Sequence, residues 1–194
     1  LTPICPDREL SSELKATLLR LGHYIVCQCN SRYQDKNWSV KKWIELTTRL
    51  ITSGYSICFT GGVNDITYLH QIIEKLPKEK TFIAAGQASF GQTARIIKNA
   101  VAYIGVDTAT SHVAAATGIP CICLYGPTAV DIWGPAPKNG QSSPYSKHLG
   151  IQTVGNVTIV RRDDADTPCS GCSRHLCAHH NPPQLSRCMQ SISV

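Results

Sequence analysis

The amino-acid sequence predicts an α/β fold in which a mainly parallel sheet carries helices on its flanks. Short apolar runs rich in β-branched residues are typical of strands buried on both faces, and five of them span 23–27, 55–60, 81–85, 101–106 and 121–125. A polar or glycine-rich turn and then a stretch with helical spacing follow each of the first four. This alternation of strand and helix is the pattern of a parallel sheet, so we expect a Rossmann-like domain. Two further short strands, 151–154 and 157–160, are expected at its edge.

The chain of 194 residues, 42% of them hydrophobic, divides into three predicted parts. Residues 1–22 are expected to be an interdomain connection followed by a docking helix. This helix places three leucines on one face, Leu14, Leu18 and Leu21. Residues 23–165 form the predicted Rossmann-like domain, which is large enough for one hydrophobic core. Residues 166–194 form a small cysteine-rich tail.

The stretch 101–128 has the sequence pattern of a strand, a polar turn, a helix and a second strand. Its polar turn follows a strand and opens a helix, and it holds Asp107, Thr108, Ala109, Thr110, Ser111 and His112. Open α/β sheets bind ligands at this edge, where free helix N–H groups and the positive end of the helix dipole favour a phosphate. The hydroxyls of this turn add further donors. The alternative is that Asp107 or Thr108 only caps the helix.

Three other loops are predicted at the same edge of the sheet. The loop after the first strand holds Ser31, Arg32 and Lys36. The positive charges of Arg32 and Lys36 either bind a phosphate or lie in solvent. Asp65, after Gly61 and Gly62, fits either a ribose hydroxyl or a helix cap. The last of these loops follows the strand 121–125 and contains Gly126, Pro127 and Thr128. Trp133, just beyond it, either lies by the ligand or fills the core.

The loop 86–93 has glycine spacing similar to that of a P-loop. Gln92 stands where a P-loop has the lysine that reaches the phosphates, and an uncharged amide lacks that charge. We therefore interpret Ser89 as an ordinary helix cap.

The central stretch resembles the signature of the heptosyltransferase family, inverting glycosyltransferases that move a heptose from an ADP-sugar to lipopolysaccharide. The matching positions are Asp107, Thr108, His112, Ala114 to Ala116, Gly118, Pro120, Gly126, Pro127, Thr128, Trp133, Gly134 and Pro135. The family has two domains in the GT-B arrangement, and the resemblance covers only the carboxyl-terminal, donor-binding one. It implies that Lys36 meets the donor phosphates, that Asp65 recognises the ribose, and that 126–128 lies by the donor.

Two positions depart from the family pattern. Ala109 and Asn30 stand where the family usually has glycine. Alanine still donates its N–H but crowds a close phosphate, whereas asparagine tolerates left-handed backbone angles.

The resemblance implies direct displacement at the anomeric carbon, with no cofactor required for the chemistry. The catalytic base would come from the amino-terminal half, so this chain alone should bind the donor without turning it over. Two alternatives remain open: a heptosyltransferase that modifies a protein acceptor such as an autotransporter, and a nucleotide- or metal-binding interaction module without catalysis. The only methionine is Met189, and we expect the chain to be a piece of a longer protein.

The ten cysteines fall into two groups. Those in predicted strands read as small buried hydrophobes in a reducing compartment. The tail instead brings together four that match a structural zinc or iron site, Cys169, Cys172, Cys177 and Cys188. Free thiols and disulfides are the alternatives, because only the first pair has the two-residue gap of metal loops.

Charge and hydropathy limit the classes of partner that are expected for this chain. The net charge of +6 suits a phosphate-bearing ligand, but the basic residues are scattered, so no nucleic acid is expected. No apolar run approaches the roughly 20 residues that span a bilayer, and the first residues do not resemble a signal peptide. We expect a cytoplasmic protein whose lipopolysaccharide acceptor would bring it to the inner membrane face.

Overall fold

The computed structural model describes residues 9–140, 142–146, 150–162 and 185–194, and these form one seven-stranded sheet with helices on both faces. The strands are β1 (Tyr24–Gln28), β2 (Ser56–Phe59), β3 (Thr81–Ile83), β4 (Ala102–Val106), β5 (Cys121–Leu124), β6 (Ile151–Val154) and β7 (Val157–Val160). Their order across the sheet is β3-β2-β1-β4-β5-β7-β6. The order reverses between β1 and β4, the position at which open α/β sheets form a ligand crevice.

The helices are α1 (Ser12–Leu21), α2 (Val40–Thr52), α3 (Ile66–Ile73), α4 (Phe90–Lys98), α5 (Ala109–Thr117), α6 (Val130–Trp133) and α7 (Arg187–Ser191). Serine hydroxyls cap several of them by accepting a backbone N–H, as Ser39 does for α2 and Ser89 for α4. The capping box between Ser89 and Gln92 confirms the interpretation of 86–93 as an ordinary helix start.

Strands β1 to β5 and β7 pair in parallel, and only β6 runs antiparallel, against β7. The mainly parallel sheet is therefore confirmed. The prediction that 157–160 is an edge strand was wrong, because β7 pairs with β5 on one side and β6 on the other. Its residues alternate between buried and half-buried, which resembles an edge strand in sequence although the strand is internal.

Two hydrophobic clusters lie on opposite faces of the sheet. Alternation along β1 divides its side chains, since Val26 joins one cluster whereas Ile25 and Cys27 join the other. Cysteines in and next to the strands, Cys27, Cys29, Cys58, Cys121 and Cys123, are buried free thiols, as predicted. Burial raises the pKa of the Cys58 thiol to about 12, which keeps it protonated.

Both ends of the described chain pack onto this domain. Leu14, Leu18 and Leu21 of α1 are buried in one cluster, while Met189 and Ile192 are buried in the other. The helix predicted before residue 23 thus lies against the sheet itself. The proposed division at 22/23 and at 165/166 stays a prediction.

Candidate functional site

A cavity of about 210 Å³ lies where three loops meet at the carboxyl ends of the strands. Its lining residues are Lys36, Asp107, His112, Thr128 and Trp133. They come from the loops after β1, β4 and β5, which are adjacent strands. Three loops predicted separately from the sequence thus meet at a single site.

An ion pair forms part of the wall of this cavity. Lys36 Nζ donates to Asp107 Oδ2 at 2.7 Å, and the two side chains are 14% and 8% exposed. The ammonium also lies 5.4 Å from the centre of the Tyr33 ring. Burial, and then the Asp107 carboxylate, raises the pKa of the nearby Tyr125 hydroxyl, which therefore stays protonated. Lysine is thus held at the wall of the cavity, where an incoming anion could replace the carboxylate.

His112 lies on the first turns of α5 beside this pair. Partial desolvation by the surrounding protein lowers its pKa, and the opposing attraction of Asp107 is the weaker cause. His112 is exposed to solvent and contributes to the lining of the cavity. A mainly neutral imidazole at neutral pH can both donate and accept a hydrogen bond to a ligand.

A network of hydroxyls holds the start of α5 from behind. The Thr110 hydroxyl lies 2.8 Å from that of Thr108 and 2.9 Å from the hydroxyl of buried Tyr103. Ser111 is fully buried and donates to the Val106 carbonyl, so its hydroxyl does not reach the cavity surface. The expectation that Ser111 offers a hydroxyl to a ligand is corrected accordingly. The sequence does not indicate this role of Tyr103, because the residue lies within strand β4.

The backbone start of α5 is open to a ligand. Thr108 occupies the capping position, but within the described residues no side chain makes the capping hydrogen bond, and Asp107 bonds Lys36 instead. The simple capping interpretation is therefore not supported. Ala109, the first helical residue, is exposed. The Ser111 N–H is used within this turn, because it donates to the Thr108 carbonyl at 3.1 Å, so the N–H groups left for a ligand are those expected at the very start of the helix.

Side-chain amides hold the loop after β1. Buried Asn37 accepts from the Ser31 backbone N–H at 2.6 Å and donates to Asn30 Oδ1 at 2.5 Å. Asn30 in turn donates to Asp65 Oδ1 at 2.6 Å, and the other Asp65 oxygen accepts from the Gly62 N–H at 2.8 Å. Both carboxylate oxygens of Asp65 are therefore used within the protein, and a ribose would have to compete with them.

This loop also corrects the reason given for Asn30. Among the described residues, Asn139 is the non-glycine residue with positive φ, so Asn30 does not use left-handed backbone angles. Its role is to link two loops through its side chain. Arg32 is exposed and contributes to neither the amide network nor the cavity lining.

The loop after β5 is close-packed. Gly126 and Pro127 are buried, and a β-carbon on Gly126 would lie 2.7 Å from Met189 Cγ, too close for any other residue without a shift. Thr128 is 3% exposed, and its Oγ1 has no hydrogen-bond partner among the residues that the structure describes. A buried hydroxyl without a partner costs free energy, and at a cavity wall it suits a ligand atom.

Trp133 completes the cavity on the side of α6. Its side chain is 49% exposed, so the alternative that it fills the core is excluded. The Tyr125 hydroxyl donates to the Trp133 carbonyl at 2.8 Å and thereby fixes the backbone there. The tryptophan of the segment after the loop is thus a further residue of the site.

The predicted metal ligands lie mostly outside the described residues. Cys169, Cys172 and Cys177 are not described, whereas Cys188 is half-buried in α7 with its sulfur 3.3 Å from the Ser186 hydroxyl. Among the described residues there is no cluster of three or more metal-binding side chains. The structural zinc or iron stays a prediction.

Comparison with known proteins identifies the family. The model of glycosyltransferase family 9 (heptosyltransferase) matches residues 6–152. The chain belongs to this family. Lipopolysaccharide heptosyltransferase 3 of Escherichia coli K12 is 32% identical over 134 residues, covering 68% of this chain and 39% of the relative. Lipooligosaccharide heptosyltransferase 2 of Haemophilus influenzae is 33% identical over 97 residues, covering 48% of this chain and 28% of the relative.

Solved structures agree with the fold. E. coli heptosyltransferase WaaC with ADP-2-deoxy-2-fluoro heptose has a TM-score of 0.54 at 26% identity, covering 73% of this chain and 37% of that one. E. coli ADP-heptose lps heptosyltransferase II has a TM-score of 0.59 at 21% identity, covering 80% and 44%. The chain therefore spans between 28% and 44% of the length of these relatives.

Within the described ranges, none of the helices combines the length and apolar character needed to cross a bilayer.

Proposed function

We propose that this chain is the donor-binding half of an inverting glycosyltransferase that moves a heptose from an ADP-sugar to a lipopolysaccharide core. The observation that carries the proposal is the Lys36–Asp107 pair beside the open start of α5. A lysine ammonium and free helix N–H groups together form a site for a diphosphate. Family membership supports a sugar nucleotide as the carrier of that diphosphate.

The size of the cavity supports a divided donor site. About 210 Å³ is below the range of roughly 300–1,000 Å³ that holds a whole drug-sized ligand. The cavity would therefore receive the diphosphate and the adjoining sugar, while the nucleoside would extend over the neighbouring loops. Thr128 Oγ1 and the neutral His112 ring would then provide hydrogen bonds to the donor.

The contribution of this half to the reaction is electrostatic. When the anomeric carbon is attacked, negative charge grows on the departing diphosphate, and Lys36 with the α5 backbone would stabilise it in a partly dehydrated cavity. Lys36 would exchange its bond to Asp107 for one to the diphosphate. The acceptor hydroxyl would lose its proton to a carboxylate of the amino-terminal half.

Isothermal titration calorimetry with ADP tests this proposal. The unchanged chain should bind ADP, and Lys36→Ala should weaken binding by about 1–3 kcal/mol, because a charge-assisted contact is lost. Lys41→Ala is the matched control, since Lys41 is an exposed lysine on α2 away from the cavity lining. No ADP binding at millimolar concentration, or equal affinities in the two variants, would refute the assignment.

The tail and the location of the protein complete the proposal. Four thiolates from Cys169, Cys172, Cys177 and Cys188 would hold a structural zinc or iron, with no position open to substrate. The sequence pattern alone supports this metal, and elemental analysis of protein purified without added metal tests it. Cytoplasmic action at the inner membrane face rests on the lipopolysaccharide acceptor.

A further inference from the structure

The segment 185–194 is fastened to the loop that carries Lys36. The Trp38 indole N–H donates to the Ile192 carbonyl at 3.1 Å in a buried position. Lys42 donates to the carbonyls of Gln190 and Ile192, each at 2.5 Å. Both donors lie just after the Lys36 loop, about 150 residues earlier in the chain. These bonds hold the segment 185–194 against the residues that follow the Lys36 loop.

Met189 of this segment lies against Gly126 in the loop after β5. Its side chain is fully buried, and the Ser186 hydroxyl caps its helix. A β-carbon built on Gly126 would lie 2.7 Å from Met189 Cγ, 3.0 Å from its Sδ and 3.4 Å from the Asp35 carbonyl oxygen. Gly126 precedes Thr128 by two residues, and Asp35 directly precedes Lys36. The Met189 side chain and the Asp35 carbonyl therefore both lie close to Gly126, and Met189 shares a hydrophobic cluster with Trp38 of the loop after β1.

We propose that Met189 is a positioning residue that sets the distance between Lys36 and Thr128 for donor binding; this inference rests on the proposed function. Close-packed interiors transmit small displacements, so a gap at Met189 lets one loop move relative to the other. The segment 185–194 would then support the two loops of the donor site in addition to covering the hydrophobic core. No contact between Met189 and the donor is involved.

The test measures ADP affinity in the 194-residue chain at a temperature at which each variant is folded by circular dichroism. Met189→Ala should raise the dissociation constant of ADP about tenfold, since small misplacements of binding groups are costly. Met189→Leu, which keeps the volume, should restore affinity close to that of the unchanged chain. Leu76→Ala is the matched control. Leu76 lies in the same hydrophobic cluster, but it precedes β3, the strand at one edge of the sheet.

A double-mutant cycle separates positioning from general stability. If Met189 acts through Lys36, then Lys36→Ala should cost less affinity in the Met189→Ala background than in the unchanged chain. Additive effects, or equal affinities of Met189→Ala and Leu76→Ala, would overturn the inference. If Met189→Ala does not fold, Met189→Val takes its place, and the same rise in the dissociation constant of ADP is expected. Absence of ADP binding in the unchanged chain would overturn the proposed function and, with it, the positioning role of Met189.

Discussion

The loop after β1 and the start of α5 face each other across the Lys36–Asp107 pair, yet they are held by different kinds of bonds. In the loop, the side chains of Asn30 and Asn37 form a chain of hydrogen bonds that continues to Asp65 in the loop after β2. At the helix start, the main chain forms its own bonds, and the Tyr103 hydroxyl network supports it from behind. A main-chain framework tolerates changes of side chain better than an amide network does, because its bonds do not depend on residue type.

This difference matches the two departures from the family pattern. Ala109 stands in a helix, where alanine is compatible with the backbone, and no described hydrogen bond depends on its methyl side chain. Asn30 stands in the loop, where its side chain has become part of the network. A larger residue at a position where the family usually has glycine therefore has different consequences at the two places. At Ala109 the side chain makes no hydrogen bond, whereas at Asn30 the side chain joins two loops.

The largest effect is expected from Asn37→Ala in the loop. This change removes two short hydrogen bonds of a buried side chain and leaves Asn30 and Ser31 without their partner. The free energy of unfolding should fall by roughly 2–4 kcal/mol, and ADP binding should weaken as Lys36 loses its support. Urea denaturation with a parallel calorimetric titration measures both. Asn64→Ala, at an exposed asparagine of a neighbouring loop, is the control and should change neither. Equal stability of the two variants would contradict the amide-network description.

A smaller effect is expected from Tyr103→Phe behind the helix start. Ser111 keeps the Val106 carbonyl and Thr110 keeps Thr108, so that each hydroxyl retains a partner. The loss of stability should be about 1 kcal/mol. Because main-chain bonds hold the helix, ADP affinity should stay within about threefold, which is less than 1 kcal/mol.

Tyr24→Phe is the matched control for this variant, since that buried hydroxyl donates to the Ile96 carbonyl of α4 at 2.8 Å. Both variants should lose similar stability in the same denaturation experiment. A complete loss of ADP binding in Tyr103→Phe alone would show that the helix start depends on its side chains after all.

The smallest effect concerns the protonation of His112. Its folded-state pKa is lowered from 6.5 by desolvation, so the unfolded state binds more protons between that lowered value and 6.5. Stability should therefore fall as the pH drops through this window, and His112→Gln should remove this part of the pH dependence. Proton NMR of the imidazole, assigned with the same variant, should give a midpoint below 6.5 that ADP raises, because phosphate charge favours the imidazolium. A midpoint at or above 6.5 without ligand would contradict the desolvated environment.

The strand and helix pattern could be predicted because burial leaves a local record in the sequence. Apolar runs located β1 to β5, and the polar turn 107–112 located the start of α5. The prediction for β7 failed because half-buried alternation is typical of an edge strand, and only the sheet order shows β6 outside it. Among the site residues, Lys36, Asp107, His112 and Thr128 do converge, whereas Ser111 turns inward.

The sequence by itself therefore determined the fold class, the edge of the sheet that forms the site and the family, since each of these depends on residues close together in the chain. The tertiary structure decided which groups of the site are free and which are engaged. Lys36 meets Asp107 across 71 positions, and Trp38 meets Ile192 across 154. Such pairs leave no periodic pattern, because packing sets their distance and chain spacing does not. The contact of Met189 with Gly126, on which the proposed positioning role rests, likewise joins residues far apart in the chain.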